Sequence, residues 1–503
     1  MKNLKIYFTS DVHGYLYPTT YGDHEEKNMG LFKCSNQFKK DGNTLIIDGG
    51  DMLQGSAFAS YCKDSVKSPE PIAKAMNDAG YDFVTLGNHD FNYGMEYQEK
   101  YLSALDATCI CENLLDKETK EPLYPYVIKE MENGLKVGVV GIVTDYVNVW
   151  EKKENIQEVT ISDPFTAARQ ALKELKGQVD LTIGVYHGGF ERDLNDGRVL
   201  TDSTENVAYK ICEELDFDLL LTGHQHIPMA GQWVNDTYIV QTPEKAAQFV
   251  ELNVERTNEE VAVTSRLCDA QGEITSLAWI ELMVLESKVQ VWLDQTAGVL
   301  DQPLLPKSKI DMAVNGTPIV DFVNQIQFAC SDAQISVTSL ANDINGFTKE
   351  VTVRDIIATY PYPNTLVVFE MTGASLKKAM ERSAEYFTKD EQGQTVISET
   401  FLMPKVEHYN YDFYAGVHYV IDVTRPVGDR VTELSYKGKS VEQDDLFTVC
   451  VNNYRASGAG GYDVYKDCKV IREINTETVE MILSYFSQHE VVEVKSYCDF
   501  VVK

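Results

Sequence analysis

Five short apolar runs in the first half of the chain end in the same manner. Residues 6–8 lead into Ser10-Asp11-Val12-His13-Gly14, residues 45–47 into Asp48-Gly49-Gly50-Asp51, and Phe83, Val84 and Leu86 into Gly87-Asn88-His89-Asp90. Residues 181–185 lead into Tyr186-His187-Gly188-Gly189, and residues 219–221 into Thr222-Gly223-His224-Gln225-His226. Runs of this length bounded by glycine read as buried strands. Glycine permits the tight turn that brings the next polar side chain to a strand's carboxyl edge. Helical spacing fills the intervals: Leu31, Cys34 and Phe38; then Pro71, Ile72, Ala75 and Met76 up to Gly80. A helix begins at Asp163-Pro164-Phe165 and runs through Leu175 until Gly177, and another covers 205–215. Residues 137–143 form a further buried strand, and after Ile239 the pattern turns to alternating β runs at 249–254 and 261–267. Strand and helix alternate, which predicts an α/β domain.

A chain of 503 residues is too long for one core. The break is expected between Cys268 and Thr317, marked by Asp301-Gln302-Pro303-Leu304-Leu305-Pro306 and Gly316-Thr317-Pro318. This places a first domain at 1–316, with its core in 1–268, and a second at 317–503. Thr317 and Pro318 read as a cap and first turn, and Ile319, Phe322, Val323, Ile326 and Ala329 give one face of a connecting helix over about 317–330. The second domain carries its own elements at 334–338, 351–360, 365–370 and 374–387. Aromatic residues crowd two of its glycine-flanked segments, 409–416 and 460–463.

An apolar content of 44% with 24% charged residues is that of a globular protein. The formal charge of −32 argues against a nucleic-acid polymer or an anionic membrane as partner. A phosphorylated small molecule remains compatible, because bound cations invert the local field. The N-terminus enters a strand at once, with no apolar signal core, and no stretch approaches the roughly 20 apolar residues of a membrane span. Ten cysteines without CxxC spacing read as reduced thiols, so a cytoplasmic location is expected.

Asp, Asn and His are hard to borderline ligands, suited to Mn, Zn, Fe, Co or Mg. Of 9 histidines, five (His13, His89, His187, His224, His226) lie at strand ends beside glycine or another ligand. Two divalent ions roughly 3.5–4 Å apart can share one carboxylate and clamp a phosphoryl group. Asp51 is the expected bridge. Asp11, His13 and His226 would complete one metal and Asn88, His187 and His224 the other. His89 would face the phosphate, stabilising the transition state or protonating the leaving oxygen.

The DxHG, GDxxxG, GNHD, HGG and GHxH series, in this order, resembles the calcineurin-like metallophosphoesterases. The whole length resembles the bacterial two-domain nucleotidases, most of all their 2',3'-cyclic-nucleotide 2'-phosphodiesterase/3'-nucleotidase branch. Residues 50–56, 87–94, 205–209 and 452–458 carry that likeness. The resemblance implies a four-layer α/β/β/α sandwich followed by a smaller α+β nucleotidase domain. It also implies two divalent ions, a connecting helix that acts as a hinge, and Tyr411 and Tyr462 as rings that stack a nucleobase. Members are often exported, which departs from the cytoplasmic expectation.

Two further departures bear on substrate. The 5'-nucleotidase branch has an aspartate three residues after the histidine of its GNHE motif, where this chain has Asn92; a neutral amide cannot stabilise an imidazolium as a carboxylate can. That branch also holds phosphate with a segment rich in glycine and bearing arginine, whereas Ser339-Leu340-Ala341-Asn342-Asp343-Ile344 has neither. The expected activity is therefore hydrolysis of 2',3'-cyclic or 3' nucleotide esters. The alternatives are a 5'-nucleotidase or UDP-sugar hydrolase, and, in another class, a metal-bound binding protein without turnover.

Overall fold

The computed structural model describes residues 2–194, 197–199, 204–257, 260–360, 362, 364–403, 405–474 and 476–503. The chain divides into two compact units, Met1–Val289 and Gln290–Lys503.

In the first unit the strands of two large sheets are, in chain order, β1 (Lys2–Thr9), β2 (Thr44–Asp48), β3 (Phe83–Val84), β4 (Thr108–Cys109), β5 (Val127–Glu130), β6 (Lys136–Val143), β7 (Leu181–His187), β8 (Leu219–Thr222), β9 (Met229–Val234), β10 (Thr237–Gln241), β11 (Gln248–Arg256) and β12 (Val261–Asp269). One sheet runs β12-β11-β1-β2-β3-β4 and the other β9-β10-β8-β7-β6-β5. Strands β1 to β4 are mutually parallel, as are β6, β7, β8 and β10. Their side chains alternate between two cores. Val137, Val139, Ile183, Val185, Leu219 and Leu221 face Ile6, Phe8, Leu45 and Ile47 between the sheets. Val140, Ile142, Tyr186, Leu220 and Ile239 face the helices Pro164–Leu175 and Ala208–Glu214 on the outside. Burial on both faces explains why these strands read as unbroken apolar runs.

The local signals act where expected. Asp163 accepts a hydrogen bond from the Thr166 amide at 2.7 Å and caps its helix. Gly80, at φ 76°, ends the helix Glu70–Ala79. The helix expected over 205–215 is shorter, Ala208–Glu214, which leaves Glu205 for other contacts.

The stretch 268–317, read from sequence as a break, carries the helices Leu277–Leu293 and Lys309–Asn315 and the strand Thr296–Val299. Residues 277–293 contain neither proline nor glycine and are rich in helix formers, so nothing interrupts the helix. In the second unit, Pro318–Ser331 buries Ile319, Val320, Phe322 and Ile326 in the unit's own core. A five-stranded sheet runs Asp412–Ala415, Ile335–Ser339, Leu446–Asn452, Leu366–Thr372 and Lys469–Ile474. Beside it the buried Arg455 guanidinium donates to Asp412 Oδ2 at 2.8 Å and Oδ1 at 3.0 Å, tying the segment 453–461 to the sheet. All ten cysteines are free thiols. Among the described residues no helix is long and apolar enough to cross a membrane.

Candidate metal centre

Because β1, β2 and β3 are parallel, their carboxyl ends open on one edge, and those of β7 and β8 do likewise. Asp11 and His13 follow β1, Asp51 follows β2, and Asn88 and His89 follow β3; His187 ends β7, and His224 and His226 follow β8. Five of these residues adopt left-handed backbone: Asp11 (φ 56°), His13 (53°), Asp51 (60°), His224 (69°) and His226 (58°). Such conformations are uncommon for side-chain-bearing residues and cost on the order of 1–3 kcal/mol each. Loop-to-loop hydrogen bonds hold them in place, among them Asp11 N to Gly50 O (2.9 Å) and His13 N to Asp51 O (2.7 Å). Gly87 is required for its small size: a Cβ there would collide with the Asp51 carboxylate and the His187 ring.

The structure gathers the expected ligands into two adjoining clusters. Asp11, His13 and His226 form one, with His226 Nε2 3.2 Å from Asp11 Oδ1 and 3.5 Å from His13 Nε2. Asp11, Asp51 and His187 form the other, with His187 Nε2 3.2 Å from Asp51 Oδ2 and 3.9 Å from Asp11 Oδ1. Asp51 Oδ2 also lies 3.9 Å from His13 Nε2, and His224 Nδ1 meets Asn88 Oδ1 at 2.9 Å. Both Asp11 and Asp51 thus stand between the clusters, where sequence alone singled out Asp51.

Each histidine in this group commits one ring nitrogen away from the cluster. His13 Nδ1 pairs with Gln54 O (2.9 Å) and His187 Nδ1 with Gly49 O (2.7 Å). His224 Nε2 pairs with Glu205 (2.8 Å) and His226 Nδ1 lies 3.3 Å from Glu244. A carbonyl can only accept, so the Nδ1 of His13 and of His187 carries the proton and the other nitrogen is a lone-pair donor, the arrangement of metal-ligating histidines. His187 Nε2 is buried and, among the described residues, has no hydrogen-bond partner; it is aimed at two carboxylates. A cation accounts for that geometry, and the donor set fits divalent ions.

The same carboxylates that would hold a cation also favour a second proton on His187 Nε2, so proton and cation compete for one position. Burial depresses the His187 imidazole, but Asp51 and Asp11 outweigh it and lift it to about 10. Burial raises both carboxyls, yet the surrounding histidines, His187 foremost, hold Asp11 and Asp51 below the usual range. His13 is drawn down to about 4, chiefly by burial.

His89 sits at the rim, its ring 5.3 Å from that of His13, and its Nδ1 meets Asn92 Oδ1 at 2.8 Å. Sequence reasoning missed four supporting residues. Asp90 accepts the amides of Asp51 and Gly87 on one oxygen and those of Met52 and Leu53 on the other. Glu205 and Glu244 back the two histidines of the last loop, and Trp150 stacks on His224 at 5.6 Å. Asp90, one residue beyond His89, and Glu205 lay in segments that carry the family likeness; Glu244 and Trp150 carried no local signal.

Tyr411 and Tyr462 require a correction. Both rings belong to the core of the second unit, 3% and 1% exposed. Tyr411 stacks on Tyr386 at 4.7 Å and donates its hydroxyl to Ala313 O. Tyr462 lies against the Arg455 guanidinium at 4.0 Å and donates to Asn410 O. With faces and hydroxyls engaged, neither offers a base a surface; Tyr409, in the first of these segments, and Tyr454, a few residues before the second, are half-buried instead.

Comparison with known proteins agrees with this architecture. Residues 4–228 match the calcineurin-like phosphoesterase family and residues 297–467 the 5'-nucleotidase C-terminal domain. A Staphylococcus aureus protein assigned as a 5'-nucleotidase, crystallised with alpha-ketoglutarate, is 33% identical, with a TM-score of 0.93 and full coverage of both chains. The trifunctional nucleotide phosphoesterase YfkN of Bacillus subtilis is 25% identical across 98% of this chain, which spans only 38% of YfkN. The 2',3'-cyclic-nucleotide 2'-phosphodiesterase/3'-nucleotidase of Salmonella typhimurium is 26% identical over 91% of this chain and 81% of its own length.

Proposed function

Because the chain belongs to the two-domain 5'-nucleotidase family of phosphoric ester hydrolases, we propose that it hydrolyses nucleotide phosphate esters, 2',3'-cyclic and 3' in preference to 5'. In this reading Asp11, His13 and His226 would hold one divalent ion and Asn88, His187 and His224 the other, with Asp51 between them. When bound, such a pair supplies Lewis-acid stabilisation of phosphoryl charge and lowers the pKa of water. His89 presents its second ring nitrogen to the phosphoryl group, to donate a hydrogen bond to developing charge or a proton to the leaving oxygen. The observation that carries the reading is the buried, unpartnered His187 Nε2 facing Asp51 and Asp11.

The substrate preference is supported by the Salmonella relative, by Asn92 in place of an aspartate, and by the absence of glycine and arginine from 339–344. A second reading, 5'-nucleotides, is favoured by the Staphylococcus aureus relative. Phosphate release with Mn²⁺ from 2',3'-cyclic AMP, 3'-AMP, 5'-AMP and UDP-glucose, with a coupled phosphatase to reveal diester cleavage, separates them. Faster turnover of the cyclic and 3' compounds supports the first reading. A preference for 5'-AMP overturns it, and a metal-replete protein that turns over none of them belongs to the binding class.

A further inference from the structure

The His89 side chain is the first member of a hydrogen-bonded series that leaves the metal centre. Its Nδ1 meets Asn92 Oδ1 at 2.8 Å, and Asn92 Nδ2 donates to Glu151 Oε2 at 2.7 Å. The other Glu151 oxygen accepts from Asn155 Nδ2 at 2.8 Å and from the Lys152 amide at 2.7 Å. Asn155 Nδ2 also donates to the Asn92 carbonyl at 3.0 Å, clamping the two segments together. Glu151 directly follows Trp150, whose ring stacks on His224, so one short segment braces both sides of the centre.

An amide side chain has two ends of opposite polarity and can be turned over at little energetic cost. A carboxylate can only accept. Glu151 therefore draws the Nδ2 end of Asn92 to itself, which sends Oδ1 to His89. An oxygen acceptor at Nδ1 requires that nitrogen to carry a proton, so any second proton goes to Nε2, and the resulting imidazolium is the form that donates from Nε2 to a phosphoryl or leaving oxygen. With the amide turned over, Nδ2 would press a donor on His89 and Oδ1 would face the carboxylate.

We propose that Glu151 is a positioning residue for His89, acting through Asn92: its carboxylate sets the orientation of the amide, and the amide sets which nitrogen of His89 carries the proton. The inference rests on the reading of this site as a phosphoesterase centre in which His89 touches the substrate. It assigns to the pair Asn92 and Glu151, in series, the function that one carboxylate would perform alone.

The test exploits polarity. Glu151→Gln keeps the size but can donate or accept, so it no longer dictates the amide. Asn92→Asp keeps an acceptor for His89 but opposes two carboxylates. The double variant, Asn92→Asp with Glu151→Gln, restores one acceptor toward His89 and one donor between the pair. With bis-p-nitrophenyl phosphate and Mn²⁺, each single variant should lose kcat by about tenfold or more with KM little changed, as expected when a general acid–base group is misplaced. The double variant should recover to within about threefold of the parent, a strong positive coupling. A packing defect would instead add in the double variant. A ¹⁵N spectrum of the histidine rings in the Zn²⁺-loaded protein gives a readout independent of turnover: His89 should be protonated at Nδ1 in the parent and the double variant, and mixed in Glu151→Gln. Additive losses, or an unchanged tautomer in a folded, metal-replete Glu151→Gln, overturn the proposal. Failure of the parent to turn over any phosphate ester, with the tautomer responding as stated, overturns the functional reading and leaves the positioning role standing.

Discussion

His187 Nε2 stands 3.2 Å from Asp51 Oδ2, while its Nδ1 is committed to Gly49 O at 2.7 Å. A neutral ring in that pose aims a lone pair at a carboxylate in a site closed to water. Either a second proton or a cation relieves the repulsion, and Asp11 and His13 add donor atoms that a cation can use and a single proton does not need.

Metal removal should therefore destabilise the protein. A ligand at about 100-fold above its Kd adds about 2.7 kcal/mol to the folded state. Thermal unfolding with and without EDTA should show a Tm lower by several degrees in the chelator, recovered by Mn²⁺ or Zn²⁺. His187→Ala and Asp51→Asn should reduce bound metal and abolish most of the chelator-dependent shift. An unchanged Tm in EDTA, together with full activity in Asp51→Asn, would contradict the assignment of this centre.

Asp90 links the Asp51 loop to the Gly87 loop by accepting four backbone amides at 2.8–2.9 Å. Burial, reinforced by Asp51, raises its pKa against the pull of those donors, so the four N–H groups are what keep a carboxylate acceptable there. In Asp90→Asn one oxygen becomes an NH₂ group, and two amides lose their acceptor. Stranding buried donors costs about 1–3 kcal/mol apiece. The variant should show a lower urea midpoint and weaker metal retention, because Asp51 itself moves. Parental stability with full metal occupancy would show that the loops are held by other means.

Legibility in the sequence followed the range of the interactions. The gathering of the candidate ligands at one place was legible because each sits at or just after the end of an apolar strand, and parallel strands must open their carboxyl ends on one edge. The helix ends at Asp163 and Gly80 were legible for the same reason, since a cap acts within one turn. Glu244 and Glu151 were not, because their partners lie in other loops and a lone glutamate carries no pattern; Glu205 fell in a segment of family likeness, but its pairing with His224 was not readable from it. Tyr411 and Tyr462 misled because a tyrosine can equally cover a core or face a ligand, and local composition does not distinguish the two. The helix Leu277–Leu293 was passed over because turn residues on either side of it outweighed its own uninterrupted run.

Asp48 gives a pH test. It is buried at the end of β2, hydrogen-bonded to Thr9 Oγ1 at 2.7 Å and to the Gly50 amide at 3.1 Å. Burial is the main cause that raises it from 3.8 to about 8, opposed by those two hydrogen bonds. In the unfolded chain the group ionises near 3.8, so between that pH and about 8 the folded state holds a proton that the unfolded state has released. Stability from this group is therefore fully present below 3.8 and falls as pH rises toward 8. Asp48→Asn replaces the protonated carboxyl with an uncharged group of the same shape, its amide donating to Thr9 and its oxygen accepting from Gly50. Urea unfolding of both proteins at pH 5, 7 and 9 isolates this contribution, because the metal ligands titrate alike in both. The stability of Asp48→Asn relative to the parent should increase from pH 5 to pH 9. Parallel pH profiles would mean that Asp48 is ionised in the folded protein and that its hydrogen bonds outweigh its burial.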